Sequence, residues 1–235
     1  RRRSFYRINL CLHFTDNFRC TFFCTKDFAH VCKIIIYRFN LCAVNIRSHG
    51  VGADVVSKYI WRGTDLGGPS VQPSLSVAYK GLSLTAWGSI GFDSEDDKEV
   101  DLTLAYETGN FSLSVTDYWY PEYSGAHTFE AQIGYDFGLL AANWYTNFAG
   151  DDEEYASYIS LIAPFSLIGL DWEAEVGATP WGTDYYGTDK FSVCDLSLGA
   201  SKEFNIGKSF STTLFAKATY NPTIEKFYAT IGISF

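Results

Sequence analysis

The stretch Phe227-Tyr228-Ala229-Thr230-Ile231-Gly232-Ile233-Ser234-Phe235 sets the terms for the whole chain. Phe227, Ala229, Ile231, Ile233 and Phe235 alternate with small or polar Tyr228, Thr230, Gly232 and Ser234. Period two is the mark of a strand with one apolar and one polar face. Such a strand invites aggregation along its edge unless it is paired, and closing a barrel removes every edge. In a bilayer the same alternation reads as lipid-facing and lumen-facing side chains.

The pattern recurs upstream and predicts twelve strands, at 53–62, 70–79, 82–92, 99–107, 111–120, 128–137, 139–148, 155–163, 168–178, 191–201, 209–220 and 224–235. In the fourth, Val100, Leu102, Leu104 and Tyr106 oppose Glu99, Asp101, Thr103 and Glu107; in the sixth, Phe129, Ala131, Ile133 and Tyr135 oppose Glu130, Gln132, Gly134 and Asp136. Lys80-Gly81 has the composition of a two-residue hairpin turn. Connections after even strands are mostly short (80–81, 108–110, 138, 164–167). Those after odd strands are mostly longer and carry acids or aromatics, as in Gly150-Asp151-Asp152-Glu153-Glu154 and Thr179 to Lys190. The expectation is an all-β, antiparallel, up-and-down transmembrane barrel of about 12 strands, both ends of its sheet on the short-turn side.

Composition agrees. The chain of 235 residues has 19 Phe, 16 Tyr and 6 Trp, yet its mean hydropathy is −0.04, so apolar residues are dispersed among polar ones. The longest weakly polar run, Leu161 to Leu170, contains Pro164 and Ser166 and is far short of the roughly 20 residues a spanning helix needs.

Charge and cysteine divide the chain near Gly50. Residues 1–50 hold nine Lys and Arg, two Asp and five of the six Cys; residues 51–235 hold the other nine bases and 25 acids. The expected domains are therefore a Cys/Arg-rich segment, 1–50, foreign to the barrel and without order of its own, and the barrel, 51–235. In the first segment His13, Cys20, Cys24, His30 and Cys32 lack the paired spacing of a structural zinc site. Lys33 to Tyr37 starts like a secretory signal, but Arg38 and Asn40 interrupt it.

Alternation turns Asp54, Glu99, Asp101, Glu130, Asp136, Asp171, Glu173, Glu175 and Asp195 inward with Lys58, Arg62 and Lys217. Unpaired charges are too costly for a dry core. The expected interior is a hydrated, negative lumen favouring cations or neutral polyhydroxylated solutes; the competing reading is a lumen filled by Trp87, Tyr145, Phe215 and Tyr228. The loop acids Asp93, Glu95, Asp96, Asp97 and Asp151 to Glu154 lack the Gly and distal Glu of an EF-hand and read as a solvated surface facing lipopolysaccharide. His127, three positions after Ser124, has no orienting carboxylate near it in sequence, so no catalytic residue and no cofactor are expected. Outer-membrane lipid and small solutes are the expected partners, and nucleic acid is not.

The segment Ala53-Asp54-Val55-Val56-Ser57-Lys58-Tyr59-Ile60-Trp61-Arg62-Gly63, followed by Pro69-Ser70-Val71-Gln72-Pro73 and Leu82-Ser83-Leu84-Thr85-Ala86-Trp87-Gly88-Ser89, resembles the TorF-like porin family, in particular its Bacteroidetes outer-membrane branch. The resemblance covers about residues 51–235. It implies an outer-membrane location and a channel role, without naming a solute.

Overall fold

The computed structural model describes residues 48–235 apart from 94, 95, 97, 123–125, 153, 208 and 209; the zinc and signal readings of the first fifty residues lie outside this range. Twelve antiparallel strands close into a barrel: β1 (Ser48–Val56), β4 (Ser70–Tyr79), β5 (Leu82–Gly91), β6 (Lys98–Thr108), β7 (Phe111–Tyr120), β8 (Ala126–Asp136), β9 (Ala141–Gly150), β10 (Ser157–Leu167), β11 (Leu170–Thr179), β12 (Ser192–Asn205), β13 (Ser211–Asn221) and β14 (Lys226–Ser234). Each strand pairs with its sequence neighbours in the ring, and β1 closes it against β14. A separate two-stranded hairpin, β2 (Tyr59–Trp61) and β3 (Thr64–Gly67), comes between β1 and β4.

Turn chemistry explains the asymmetry of the two ends. Lys80-Gly81 and Ile168-Gly169 each carry positive φ at both positions, the backbone of the two-residue turn whose twist matches the flanking strands. The second of these differs from expectation. The chain does not turn at 164–167 but runs on through Pro164, which sits opposite Glu173 inside the β10–β11 ladder. Proline survives in a strand where its missing N–H faces no partner. The opposite end carries the longer connections, including 180–191 with its single 3₁₀ turn, Asp184–Tyr186, capped by the Thr183 hydroxyl.

The larger departure concerns the first strand. The alternation from 53 to 62 predicts one continuous strand, but the wall strand ends at Val56. Ser57 still donates its N–H to the Ile231 carbonyl at 2.8 Å, yet it is the Ser57 hydroxyl that accepts the Ile231 N–H, at 2.9 Å. The regular β1–β14 ladder ends here, the Lys58 carbonyl next accepting only from the Thr230 hydroxyl, at 3.4 Å. Arg62 (φ 48) and Gly63 (φ 78) then form the tip of the hairpin. Consequently β1 pairs with β4 along its whole length, but with β14 only at Asp54, Val55 and Val56.

Polarity is arranged inside out. Glu99, Glu130, Asn147, Asp195 and Thr219 are all buried, whereas Leu104, Leu113, Ile133, Leu161, Leu198 and Ile231 are exposed on the outer face. Exposed aromatic residues gather toward both ends of the wall, Tyr79, Tyr106, Tyr135, Phe165 and Phe235 at the short-turn end and Phe92, Trp144, Phe148 and Phe227 at the other.

Candidate lumen site and its plug

The β2–β3 hairpin lies inside the ring, because its side chains reach strands on every side. Tyr59 donates its hydroxyl to Glu99 of β6 at 3.0 Å. Trp61 packs its ring at 6.0 Å from Tyr118 of β7 and stacks on Tyr186. Arg62 forms a two-pronged ion pair with Glu130 of β8, at 2.6 and 2.8 Å. The Gly63 carbonyl accepts from Asn221 of β13 at 3.0 Å, and a Cβ on Gly63 would run into the Cys194 carbonyl of β12. Glycine is required at that tip both by its backbone angle and by this close approach.

Arg62 is the centre of the plug. Its guanidinium stands 4.3, 4.2 and 4.7 Å from the ring centres of Trp61, Tyr145 and Tyr158, and it also donates to the Tyr186 hydroxyl at 2.8 Å. Both side chains of the ion pair are shielded, at 9% and 4% exposure. Forked geometry and flat aromatic faces are what a guanidinium, unlike an ammonium, can use. Tyr118 adds a third hydrogen bond to Glu130 at 2.9 Å. Burial raises the Tyr186 phenol above its ordinary value against the pull of Arg62, so it serves as a neutral hydrogen-bonding group.

Most inward acids have partners of the same kind. Glu99 accepts from Tyr59 and Tyr120. Glu175 accepts from Tyr158 at 3.1 Å and from Lys217 at 3.2 Å, while Asp195 accepts from Ser197. Asp101 is buried beside Glu99, and its Oδ1, like Asn147 Oδ1, has no hydrogen-bond partner among the described residues. Glu173 shares its face of β11 with Glu175 and is exposed, as are Asp136 and Asp171 at the short-turn end. Asp136 caps its turn through Gly138 N–H at 2.7 Å, and Asp171 accepts from Ser166. Asp54 is half-buried on β1 opposite Gln72 and Ser234.

Two expected wall residues are not on the wall. Lys58 opens the hairpin and pairs with Asp65 at 2.7 Å, and Arg62 is the tip just described. Leaving the wall gives the charged and aromatic side chains of this segment acceptors and ring faces inside the ring. Of the expected filling residues, Trp87 packs at a tilt against Tyr59 and Tyr145 against Tyr158, so both are part of the plug's surroundings. The tyrosines that answer the acids escaped the sequence reading. Tyr118 and Tyr120 continue the inward phase of Ser112, Ser114 and Thr116, and extending that alternation by two steps finds them.

No family model and no curated protein sequence matches this chain.

On the outer face His127 meets a carboxylate after all. Asp117, ten residues earlier on β7, comes within 2.6 Å of Nδ1 through the β7–β8 register. The imidazole is stacked between Trp119 and Phe129. Ser124 lies outside the described residues. The described loop acids take up donors of their own and neighbouring loops: Asp152 accepts from Glu154 N–H, Ala156 N–H and the Asn147 amide, Asp96 from Gly68 N–H and Asp93 N–H, and Glu154 from Asp184 N–H of the 180–191 connection at 2.7 Å. Among the described residues no group of three His, Cys, Asp or Glu side chains is placed to hold a metal.

Proposed function

We propose that the chain is a bacterial outer-membrane barrel forming a narrow pore for small solutes, closed at rest by its Arg62 hairpin and preferring cations when open. The observation that carries this reading is the reversal of polarity across the wall, with carboxylates and hydroxyls enclosed while leucines, isoleucines and aromatic rings face out. A water-soluble protein rarely exposes so continuous an apolar surface. Strands of 9 to 14 residues supply the roughly 9–11 that a tilted strand needs to cross a bilayer. The aromatic residues at both ends suit the two interfaces.

Closure rests on the hairpin, and a barrel of intermediate strand number lies between those that side chains fill and those that stay open. Cation preference rests on the excess of inward acids over the inward bases Lys58, Arg62 and Lys217. The resemblance to TorF-like porins points the same way. The reading assigns no catalytic step and no cofactor. It places outer-membrane lipid and lipopolysaccharide around the barrel.

A second reading is favoured by the plug itself: a purely structural barrel that never conducts. Planar-bilayer recording decides between them. The wild-type chain should give brief, small openings. A variant with Lys58 to Gly68 replaced by a short Gly-Ser connection should give a steady, larger current whose reversal potential in a salt gradient favours cations. Silence from the shortened variant would establish the structural reading instead.

A further inference from the structure

The wall has a vacant half-slot where the hairpin leaves it. The β1–β14 ladder runs through Asp54 opposite Ser234, Val55 opposite Ile233 and Val56 opposite Gly232. Continued in register, Lys58 to Arg62 would lie opposite Thr230 to Lys226. Those five residues of β14 pair with β13 on one side; on the other no described strand pairs with them, and contact is kept at Thr230, whose hydroxyl donates to the Lys58 carbonyl at 3.4 Å. Period two fixes which backbone groups are left over. Phe235 and Ile231 direct their N–H groups to the β1 side, to Ala53 and Ser57, so Ala229 and Phe227 direct theirs there too. Both residues are exposed. In a membrane wall, unpaired peptide groups are costly unless they lie in the headgroup region or gain a strand.

The sequence of the hairpin fits the vacancy. In the continued register Tyr59 and Trp61 would face outward, level with Ala229 and Phe227, where aromatic residues suit an interface. Lys58 and Arg62 would face the lumen. Length allows it. Arg62 would stand six residues beyond Val56, about 20 Å along the strand at about 3.3 Å per residue. The eight residues from Gly63 to Ser70 reach about 26 Å when extended.

We propose that residues 58–62 exchange between two positions, plug and wall. In one, Arg62 binds Glu130 and the lumen is closed; in the other, the segment zips onto β14 between Lys226 and Thr230, completing the wall and emptying the lumen in a single movement. The hinge is Ser57, whose hydroxyl already stands in for a missing ladder carbonyl. This inference rests on the pore reading above and supplies its opening step.

Crosslinking tests it. In the full chain in lipid vesicles, the pair Trp61→Cys and Phe227→Cys should form a disulfide under mild oxidation, identified by mass spectrometry of the joined fragments. In the plugged form the Trp61 ring stacks on Tyr186 and meets Tyr118, across the lumen, so Trp61→Cys with Tyr186→Cys serves as the plugged-state control. Oxidation of the first pair should hold the current on until reductant is added. Ala229→Pro removes an N–H that only the wall position uses and should abolish openings while leaving the folded barrel intact. Absence of the first disulfide when the control pair crosslinks, or unchanged openings in Ala229→Pro, overturns the exchange. If the first pair crosslinks but no form carries current, including the shortened variant, the pore reading fails and the exchange stands.

Discussion

At the scale of single residues, the Arg62–Glu130 pair shows how an ion pair can be structural without adding much net stability. Two charges taken out of water cost several kcal/mol each, and their mutual attraction repays this only with complete hydrogen bonding. Here Glu130 accepts from both guanidinium nitrogens and from Tyr118. Glu130→Gln leaves the guanidinium buried without its counter-charge and should destabilise the folded barrel by about 3–5 kcal/mol, read as a lower urea midpoint in detergent micelles. Arg62→Met with Glu130→Met removes both charges and should recover most of that loss. A double-variant loss as large as that of Glu130→Gln would mean that the uncompensated guanidinium charge is not what destabilises the single variant. This pair was half legible in the sequence. Alternation turns Glu130 inward at once, but Arg62 reaches it only because the chain leaves the wall, and no local signal marks Ser57 as the point of departure. The Asp117–His127 pair was hidden for a different reason. Ten residues apart in sequence, the two meet through a register that depends on the length of the 121–125 loop.

At the scale of elements, the strands were legible because each is a strict zigzag bounded by turn residues, and the errors fell where two signals compete. Alternation continues through Tyr59 and Trp61, so it gives no warning of the inward fold. The turn at Arg62-Gly63 resembles Lys80-Gly81, with a basic residue before glycine and positive φ at both positions. Weighted as a turn rather than as the end of a strand, it would have divided the first strand into wall and hairpin. Pro164 misled in the opposite direction, ending a strand that in fact continues to Leu167. The half-empty edge of β14 has its own signature. Hydrogen exchange should show fast amides at Phe227 and Ala229 between slow ones at Tyr228 and Thr230, which point into the β13 ladder. Uniform protection from Lys226 to Thr230 would mean that this edge is covered.

At the scale of the whole molecule, one ring separates two environments, and the six tryptophans sample both. Trp172 is on the outer phase of β11, stacked on Phe165. Trp87 is on the inner phase of β5 against Tyr59. Single-tryptophan variants in vesicles of chain-brominated lipid should therefore separate, with Trp172 fluorescence strongly quenched and Trp87 fluorescence nearly untouched. Equal quenching would contradict the membrane placement. The chain leaves the ring after Val56 and rejoins it at Ser70, and those two residues face each other on a single rung. Whatever lies between them is thus a cassette, mounted on the ring without interrupting its β1–β4 ladder. A lineage could rewrite what fills such a barrel by replacing about a dozen residues, with the surrounding cylinder inherited unchanged.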